Sequence, residues 1–170
     1  GSVSAAIMIS KFTKVSDPRD VGSGNPGATN ILRYAGKKIA AFTLLGDILK
    51  GYLPVKLSLL IGFTVEQSAA IALMTFLGHL YPIFHGFKGG KGVATFIGVT
   101  AALFWQISLI FGVIWLSIAK ITKYSSVSAL VSSLGILFLI TIYFDSKTVT
   151  VCYLIMVALI YLRHHKNIRN

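Results

Sequence analysis

The stretch HGFKGGKGVATF, residues 85–96, puts four glycines and two lysines into the seven positions from Gly86 to Gly92, with a long apolar run on either side. Glycine and charge are both costly inside a bilayer, so the runs belong in lipid and the loop at its edge. Working outward, apolar stretches fall at residues 39–63, 67–84, 92–104, 106–121, 125–144 and 148–162, and the opening GSVSAAIMISKF supplies part of one more. A span needs about 20 residues, so the 92–104 stretch is short and is expected to pair with the next as a bent or tight hairpin. These stretches define an all-α integral membrane protein, a single domain over residues 1–170. It has about seven transmembrane helices joined by short polar, glycine-rich cytoplasmic loops. Five spans, with some stretches not crossing, is the competing count.

Composition agrees. The chain is 55% hydrophobic and 12% charged, about half the charge of a soluble domain, with a mean hydropathy of +0.77. Sixteen Lys and Arg face five Asp and Glu, a formal net charge of +11. Such an excess serves either nucleic acid or an anionic membrane face with anionic substrates. The hydropathy selects the second and excludes nucleic acid. One cysteine, Cys152, allows no disulfide framework and no cysteine metal site. The opening segment is apolar up to Lys11 and too short to span. Its charge follows the apolar residues, unlike a signal peptide, so the expectation is the second half of a first helix.

Charge placement orients the chain. Lys11, Lys14, Arg19, Arg33, Lys37 and Lys38 lie in the first loop, Lys88 and Lys91 in the third, Lys120 and Lys123 at the end of the fifth segment, and Arg163, Lys166 and Arg169 after the last. With seven crossings all face one side, and the opposite loops hold only Glu66, Asp145 and Lys147. The positive-inside pattern then makes the basic loops cytoplasmic and the N-terminus external.

The same loops carry the residues capable of chemistry. In DPRDVGSGNPGATNILRYAGKK, residues 17–38, Gly22, Gly24 and Gly27 permit a backbone concavity of N–H groups. Pro26 precedes a helix start, Thr29 and Asn30 are good caps, and Arg33 lies one turn beyond Thr29. A helix N-terminus, hydroxyls and an arginine make a phosphate site; the bland alternative is a solvated turn capped by Thr29. In the quoted loop, His85 stands where a nucleotide P-loop needs glycine, and Gly92 where it needs Ser or Thr. Still, Gly89, Gly90 and Gly92 let backbone N–H groups approach a phosphate, Lys91 adds a point charge, and Thr95 is placed to cap or line the site. A cationic anchor to headgroups accounts for Lys88 but not for the glycines.

In LRHHKNIRN, His164 and Asn167 share a helical face, while Arg163 and Lys166 read as membrane-edge anchors. His79 is an intramembrane histidine, either functional or bonded to a neighbouring helix. Asp47 and Lys50, three apart, are expected to pair inside the bundle. Lys123 with Ser125, Ser126 and Ser128 reads as a helix cap, or as an addition to the anion site. Asp17, Asp20 and Asp47 lack a repeated carboxylate spacing for magnesium. No His followed five positions later by Asp, no Gly-x-Ser-x-Gly elbow and no reactive cysteine occurs, so a covalent acyl-enzyme is not expected.

GSGNPGATN followed by Arg33, then GHLYPIFHGFKGGKGVATF, then RHHKNI, in that order, resembles the bacterial membrane acyl-phosphate:glycerol-3-phosphate acyltransferase family. The family usually continues to a Gly-Glu pair beyond the last motif, which this chain, ending at Asn170, does not include. The resemblance implies transfer of a fatty acyl group from acyl phosphate to the sn-1 hydroxyl of glycerol 3-phosphate, giving lysophosphatidic acid and inorganic phosphate, at the cytoplasmic face of the bacterial inner membrane. It implies catalytic roles for Ser23, Arg33, Lys91, His164 and Asn167. It implies substrate binding by Asn25, Thr29, Asn30, Gly89, Gly90, Gly92, Thr95 and His79. The proton acceptor is expected to be a substrate phosphate, with His164 and His79 as alternatives. The expected partners are glycerol 3-phosphate, a fatty acyl phosphate and membrane lipid, with no cofactor, no metal and a monomer as the working unit. The alternative function is a phosphate or organophosphate transporter. Transporters usually show internal repeats and mid-membrane sites, and neither is visible.

Overall fold

A computed structural model describes residues 1–168, apart from the side chains of Lys166 and Ile168. The Lys166 side chain and Arg169, both counted above as cytoplasmic cations, lie outside what is described. All the regular secondary structure of the described residues is helical, with no strand: α1 (Ala5–Thr13), α2 (Ala28–Leu60), α3 (Val65–Leu80), a single 3-10 turn (Ile83–His85), α4 (Val93–Leu103), α5 (Trp105–Thr122), α6 (Ser125–Tyr143), α7 (Lys147–Arg163) and a short α8 (His165–Ile168).

α2 is two helices in one. Gly36, at φ 84° and ψ 175°, interrupts it. A basic first segment, residues 28–35, therefore precedes a long arm over residues 37–60. That arm rises about 36 Å at ~1.5 Å per residue, enough to cross a ~30 Å hydrocarbon core. It carries Asp47, Lys50 and Lys56, and Lys56 is a cation toward the end opposite the basic loops, which counting loops alone passes over. Three helical stretches are long and apolar enough to cross: Val65–His85, Trp105–Thr122 and Ser125–Tyr143. α4, with 11 residues, rises only about 16 Å. It passes into α5 at Phe104 without an intervening loop, which is the tight hairpin the short 92–104 stretch required.

Small residues let the helices touch. A Cβ at Gly98 would overlap the carbonyl oxygen of Ile48, and one at Gly51 would stand 2.6 Å from that of Thr95. α2 and α4 thus meet backbone to backbone, the usual device where lipid supplies no hydrophobic drive between helices. The core lies between α3, α4 and α7, where Phe76, Phe96, Tyr153 and Met156 are fully buried. Phe96 stands edge-on to Tyr153 at 5.6 Å, an arrangement aromatic quadrupoles favour. α5 buries only Ile107 and Phe111 and turns Leu109, Val113 and Leu116 outward, as a lipid-facing helix should. This packing fixes the starts of α2, α4 and α6 and the ends of α3, α5 and α7 at one end of the bundle, where the basic loops lie.

Candidate functional site

The first loop is organised by one side chain. Asn30 is buried; its Oδ1 accepts from the Ser23 N–H at 2.9 Å, and its Nδ2 donates to the carbonyls of Pro18 at 2.9 Å and Val21 at 3.0 Å. Gly22, at φ +62°, lies against Oδ1 so closely that a Cβ there would collide with it. Asn30 therefore faces inward and holds the loop, with its amide committed, while Ser23 stays exposed. Neither Thr29 nor Asn30 caps the helix. The chain leaves the Pro26-Gly27 turn so directly that Gly27 is the N-cap and both residues fall inside the first turn. Thr29 instead reaches across to α6, its Oγ1 3.3 Å from Ser125 Oγ. The serines of α6 likewise do not cap it. Its N-cap is Tyr124, and Ser128 bonds back to the Tyr124 carbonyl, so Ser125 is left to join the first loop.

The glycine-rich loop closes against α3. The Gly89 N–H donates to the Leu80 carbonyl at 3.2 Å. A Cβ at Gly90 would strike His79 Nε2, and one at Gly92, the φ +88° N-cap of α4, would strike the Phe76 ring. Lys91 is half-buried. Burial first, and then the Arg33 charge, hold its amine below the ordinary lysine range, so Arg33 and Lys91 belong to one electrostatic site. Lys91 Nζ donates to Asn167 Oδ1. Thr95 does not line this loop. It is buried one turn into α4 and donates to the Asp47 carbonyl at 3.3 Å, across the α2–α4 contact.

At the end of α7, His164 is buried with Nδ1 2.8 Å from the Ile160 carbonyl. A carbonyl only accepts, so Nδ1 carries the proton and Nε2 is left as an acceptor. Burial lowers the proton affinity of His164, the Ile160 bond opposes that, and Lys91 adds to it. The neutral ring is the consequence at physiological pH. His79 lies behind the loop, between Gly90 and the buried Asp47–Lys50 pair. That pair closes at 2.7 Å as its spacing suggested, with His79 Nδ1 3.8 Å from Asp47 Oδ1. Lys50 also donates to the Val3 carbonyl, tying in the start of α1.

Two further residues had been assigned no role at the site. Arg19, held in a two-pronged pair by Asp17 at 2.9 and 2.8 Å, lines a cavity of about 350 Å³ together with Asp20, Gly24, Pro26, Lys88 and Gly89. Arg163, expected as a membrane-edge anchor, instead bonds the glycine-rich loop. Its signal was its place as the first residue of the last motif, RHHKNI. Among the described residues no three His, Cys, Asp or Glu side chains gather as metal ligands.

The starts of α2, α4 and α6 share a further property. Among the described residues none has a side-chain cap, so their first N–H groups remain free for a ligand. Arg33 and Lys91 add full charges beside them. At one end of a helical membrane bundle, such an arrangement has the chemistry to hold phosphate groups. The whole chain, residues 1–170, matches the Glycerol-3-phosphate acyltransferase family, and it belongs to that family. It is 45% identical over 169 residues to the glycerol-3-phosphate acyltransferase of Francisella tularensis subsp. holarctica (strain OSU18), covering 99% of this chain and 82% of that one. It is 44% identical over 171 residues to that of Ruthia magnifica subsp. Calyptogena magnifica, covering 99% and 86%. Two crystal forms of PlsY (YgiH), an integral membrane glycerol 3-phosphate acyltransferase, share the fold. The glycerol 3-phosphate form gives a TM-score of 0.90 at 33% identity over 98% of this chain and 84% of that one. The lysophosphatidic acid form gives 0.91 at 34% identity over 99% and 84%.

Proposed function

We propose that this protein transfers a fatty acyl group from an acyl phosphate to the sn-1 hydroxyl of glycerol 3-phosphate, the first acylation of bacterial phospholipid synthesis. The observation that carries this reading is the group of three uncapped helix starts beside Arg33 and Lys91. Both substrates and one product carry phosphate, so a site made of backbone N–H groups and fixed cations suits each stage. The relatives solved in glycerol 3-phosphate and lysophosphatidic acid forms support the same acceptor and product. The family match lends no support to a transporter.

In this mechanism the glycerol hydroxyl oxygen attacks the acyl carbonyl carbon, and the carbonyl becomes an oxyanion. Collapse breaks the bond between that carbon and the bridging phosphate oxygen, which leaves with the electron pair. The hydroxyl proton passes to a phosphate oxygen of the substrate and departs with inorganic phosphate. Phosphate is already a good leaving group, so no covalent enzyme intermediate is needed. Lys91 and Arg33 offset charge growing on the leaving phosphate and the oxyanion. Ser23 and Asn25 orient the substrates from the exposed side of the first loop, with Thr29 beside them. The amides around Gly89, Gly90 and Gly92 hold a phosphate. The neutral His164 ring, with Nε2 as an acceptor, is the alternative destination for that proton, and Asn167 aims Lys91. Asn30, Thr95 and His79 act from behind, by holding the loops and the α2–α4 contact. One chain supplies every residue named, so a monomer suffices.

The site is read as facing the cytoplasm from a bacterial inner membrane crossed seven times. K88C should then label with an impermeant maleimide in inverted vesicles and not in intact spheroplasts. For the reaction, purified protein in detergent is given radiolabelled glycerol 3-phosphate with palmitoyl phosphate, and in parallel with palmitoyl-CoA, without added metal. Lysophosphatidic acid with equal phosphate release, from the acyl phosphate alone, is expected. Product from palmitoyl-CoA alone would overturn the donor. No product from either, with glycerol 3-phosphate still bound, would overturn the enzyme.

A further inference from the structure

We propose that Arg163 is a positioning residue for this reaction: its guanidinium grips the carbonyls of the glycine-rich loop and thereby aims the loop's N–H groups at the substrate phosphate. The inference rests on the acyltransferase reading above and assigns a role to a side chain which that mechanism leaves idle.

Arg163 is half-buried at the last residue of α7. Its Nε donates to the Gly90 carbonyl at 3.1 Å, and its Nη2 to the carbonyls of Gly89 at 2.7 Å and Leu80 at 3.1 Å. The Tyr81 ring stacks under it, 5.5 Å from Cζ to the ring centre. A trans peptide points its C=O and its N–H in opposite directions, and no peptide in the described chain is cis. Holding the Gly89 oxygen therefore directs the Gly90 N–H away from Arg163, and holding the Gly90 oxygen directs the Lys91 N–H away as well. Among the described residues neither of these N–H groups has a partner within the protein, whereas the Gly89 N–H is already used by Leu80. The two groups left free are thus the two that Arg163 aims.

A glycine-rich segment needs such a constraint. Glycines leave the backbone free to reorient, and an anion site of N–H groups works only if they converge before the anion arrives. Only arginine presents a rigid planar fork that meets several carbonyls at once; lysine offers one nitrogen on a flexible stem. The short α8 that follows α7 holds the loop a second way, since Asn167 accepts from Lys91 Nζ. Backbone and side chain of one loop are therefore registered against the α7–α8 junction. A membrane-edge anchor would be exposed, and lysine would serve it equally well.

R163K separates the two roles, because it keeps the charge and most of the stem. KM for the phosphate-bearing substrate held by the loop is expected to rise about tenfold or more, the weight of one lost charged hydrogen bond, with a smaller change in kcat. The dissociation constant for inorganic phosphate, measured by calorimetry on wild type and variant without turnover, is expected to rise by a similar factor. Wild-type KM and phosphate affinity in folded R163K would overturn the clamp and restore the anchor. Should R163K fail to fold, Y81L removes the ring beneath the guanidinium and leaves the arginine in place. A rise in the phosphate dissociation constant is expected there too, and an unchanged value would overturn the proposal. Wild-type protein that binds phosphate but makes no product with any acyl donor would overturn the acyltransferase reading, while the calorimetric comparison would still decide the clamp.

Discussion

Replacing Asn30 by aspartate changes one nitrogen to oxygen and tests the organisation of the first loop. The acceptor to the Ser23 N–H is kept. Both donors, to Pro18 and Val21 at 2.9 and 3.0 Å, are lost. Each lost bond is worth about 1 kcal/mol net, and a carboxylate forced against two carbonyl oxygens in a buried position costs about 1–3 kcal/mol more. A carboxyl that takes up a proton recovers one donor and trims the loss. A total near 3 kcal/mol lowers the population of the ordered loop up to about a hundredfold, since local order is its own equilibrium. Arg19, exposed and inside this loop, provides the assay. In N30D, trypsin should cut after Arg19 at least ten times faster (roughly, by the same arithmetic), and kcat/KM for glycerol 3-phosphate should fall in parallel. If activity falls while cleavage stays at the wild-type rate, Asn30 touches substrate and the inward reading is wrong. If neither changes, the three hydrogen bonds do not organise the loop.

R33A and K91A should each lower turnover by about a hundredfold or more, the scale of removing a transition-state charge partner, while the protein still inserts and binds detergent normally; normal activity in either would remove it from the mechanism. His164 has its proton affinity lowered in the folded chain, so the unfolded chain binds the proton more readily below the ordinary histidine value of about 6.5. Stability contributed by the neutral ring is then present above that pH and lost as pH falls toward the folded value. The melting midpoint should drop between pH 7.5 and pH 5.5 (about 1 unit to either side of that value), and H164Q should flatten the drop. Asp17, also held low in the folded state by its bond to Arg19, affects only more acidic conditions. D47N strands the Lys50 ammonium inside the bundle and should lower stability by about 3 kcal/mol, with K50M in the same chain recovering most of it, as expected when a buried pair rather than a lone charge is removed; a D47N melting midpoint equal to wild type would show the pair to be solvated.

Much of this was legible in the sequence because lipid is a severe solvent. Apolar length, glycine density and the one-sided cations locate the helices and loops, and the shortness of the 92–104 stretch foretells a hairpin at Phe104. Asp47 and Lys50, one turn apart in an apolar helix, have little choice but to pair. What was not legible depends on which way a side chain turns in an irregular loop. Asn30 has the composition of a cap, but the path of residues 17–24 folds back over it and claims its amide. Thr95 follows the glycines in sequence, yet one helical turn carries it to the α2 contact. Arg163 has the composition of an anchor. Only the return of the α3–α4 loop beside the end of α7, a contact spanning nearly half the chain, gives it carbonyls to hold.

The helix caps divide along the same line as the chemistry. α3 and α7 begin at the end away from the basic loops, and each is closed by a side chain: Thr64 with Gln67 in a reciprocal box, and Ser146; α1, which begins inside the bundle beside Gly78 of α3, is closed by Ser4. α5, the third helix beginning at that end, follows α4 without a loop and has no room for a separate cap. α2, α4 and α6 begin at Gly27, Gly92 and Tyr124 with their first N–H groups open. Serine or threonine at such a position is worth about 1 kcal/mol, and this chain uses both residues as caps elsewhere, so open starts at all three loop-side helices forgo stability that was within reach. A cap oxygen and a phosphate oxygen compete for the same N–H groups. On the function and the clamp proposed above, the helices that face substrate leave them vacant, and the conformational order a cap would have given comes from behind, through Asn30 in the first loop and Arg163 in the third.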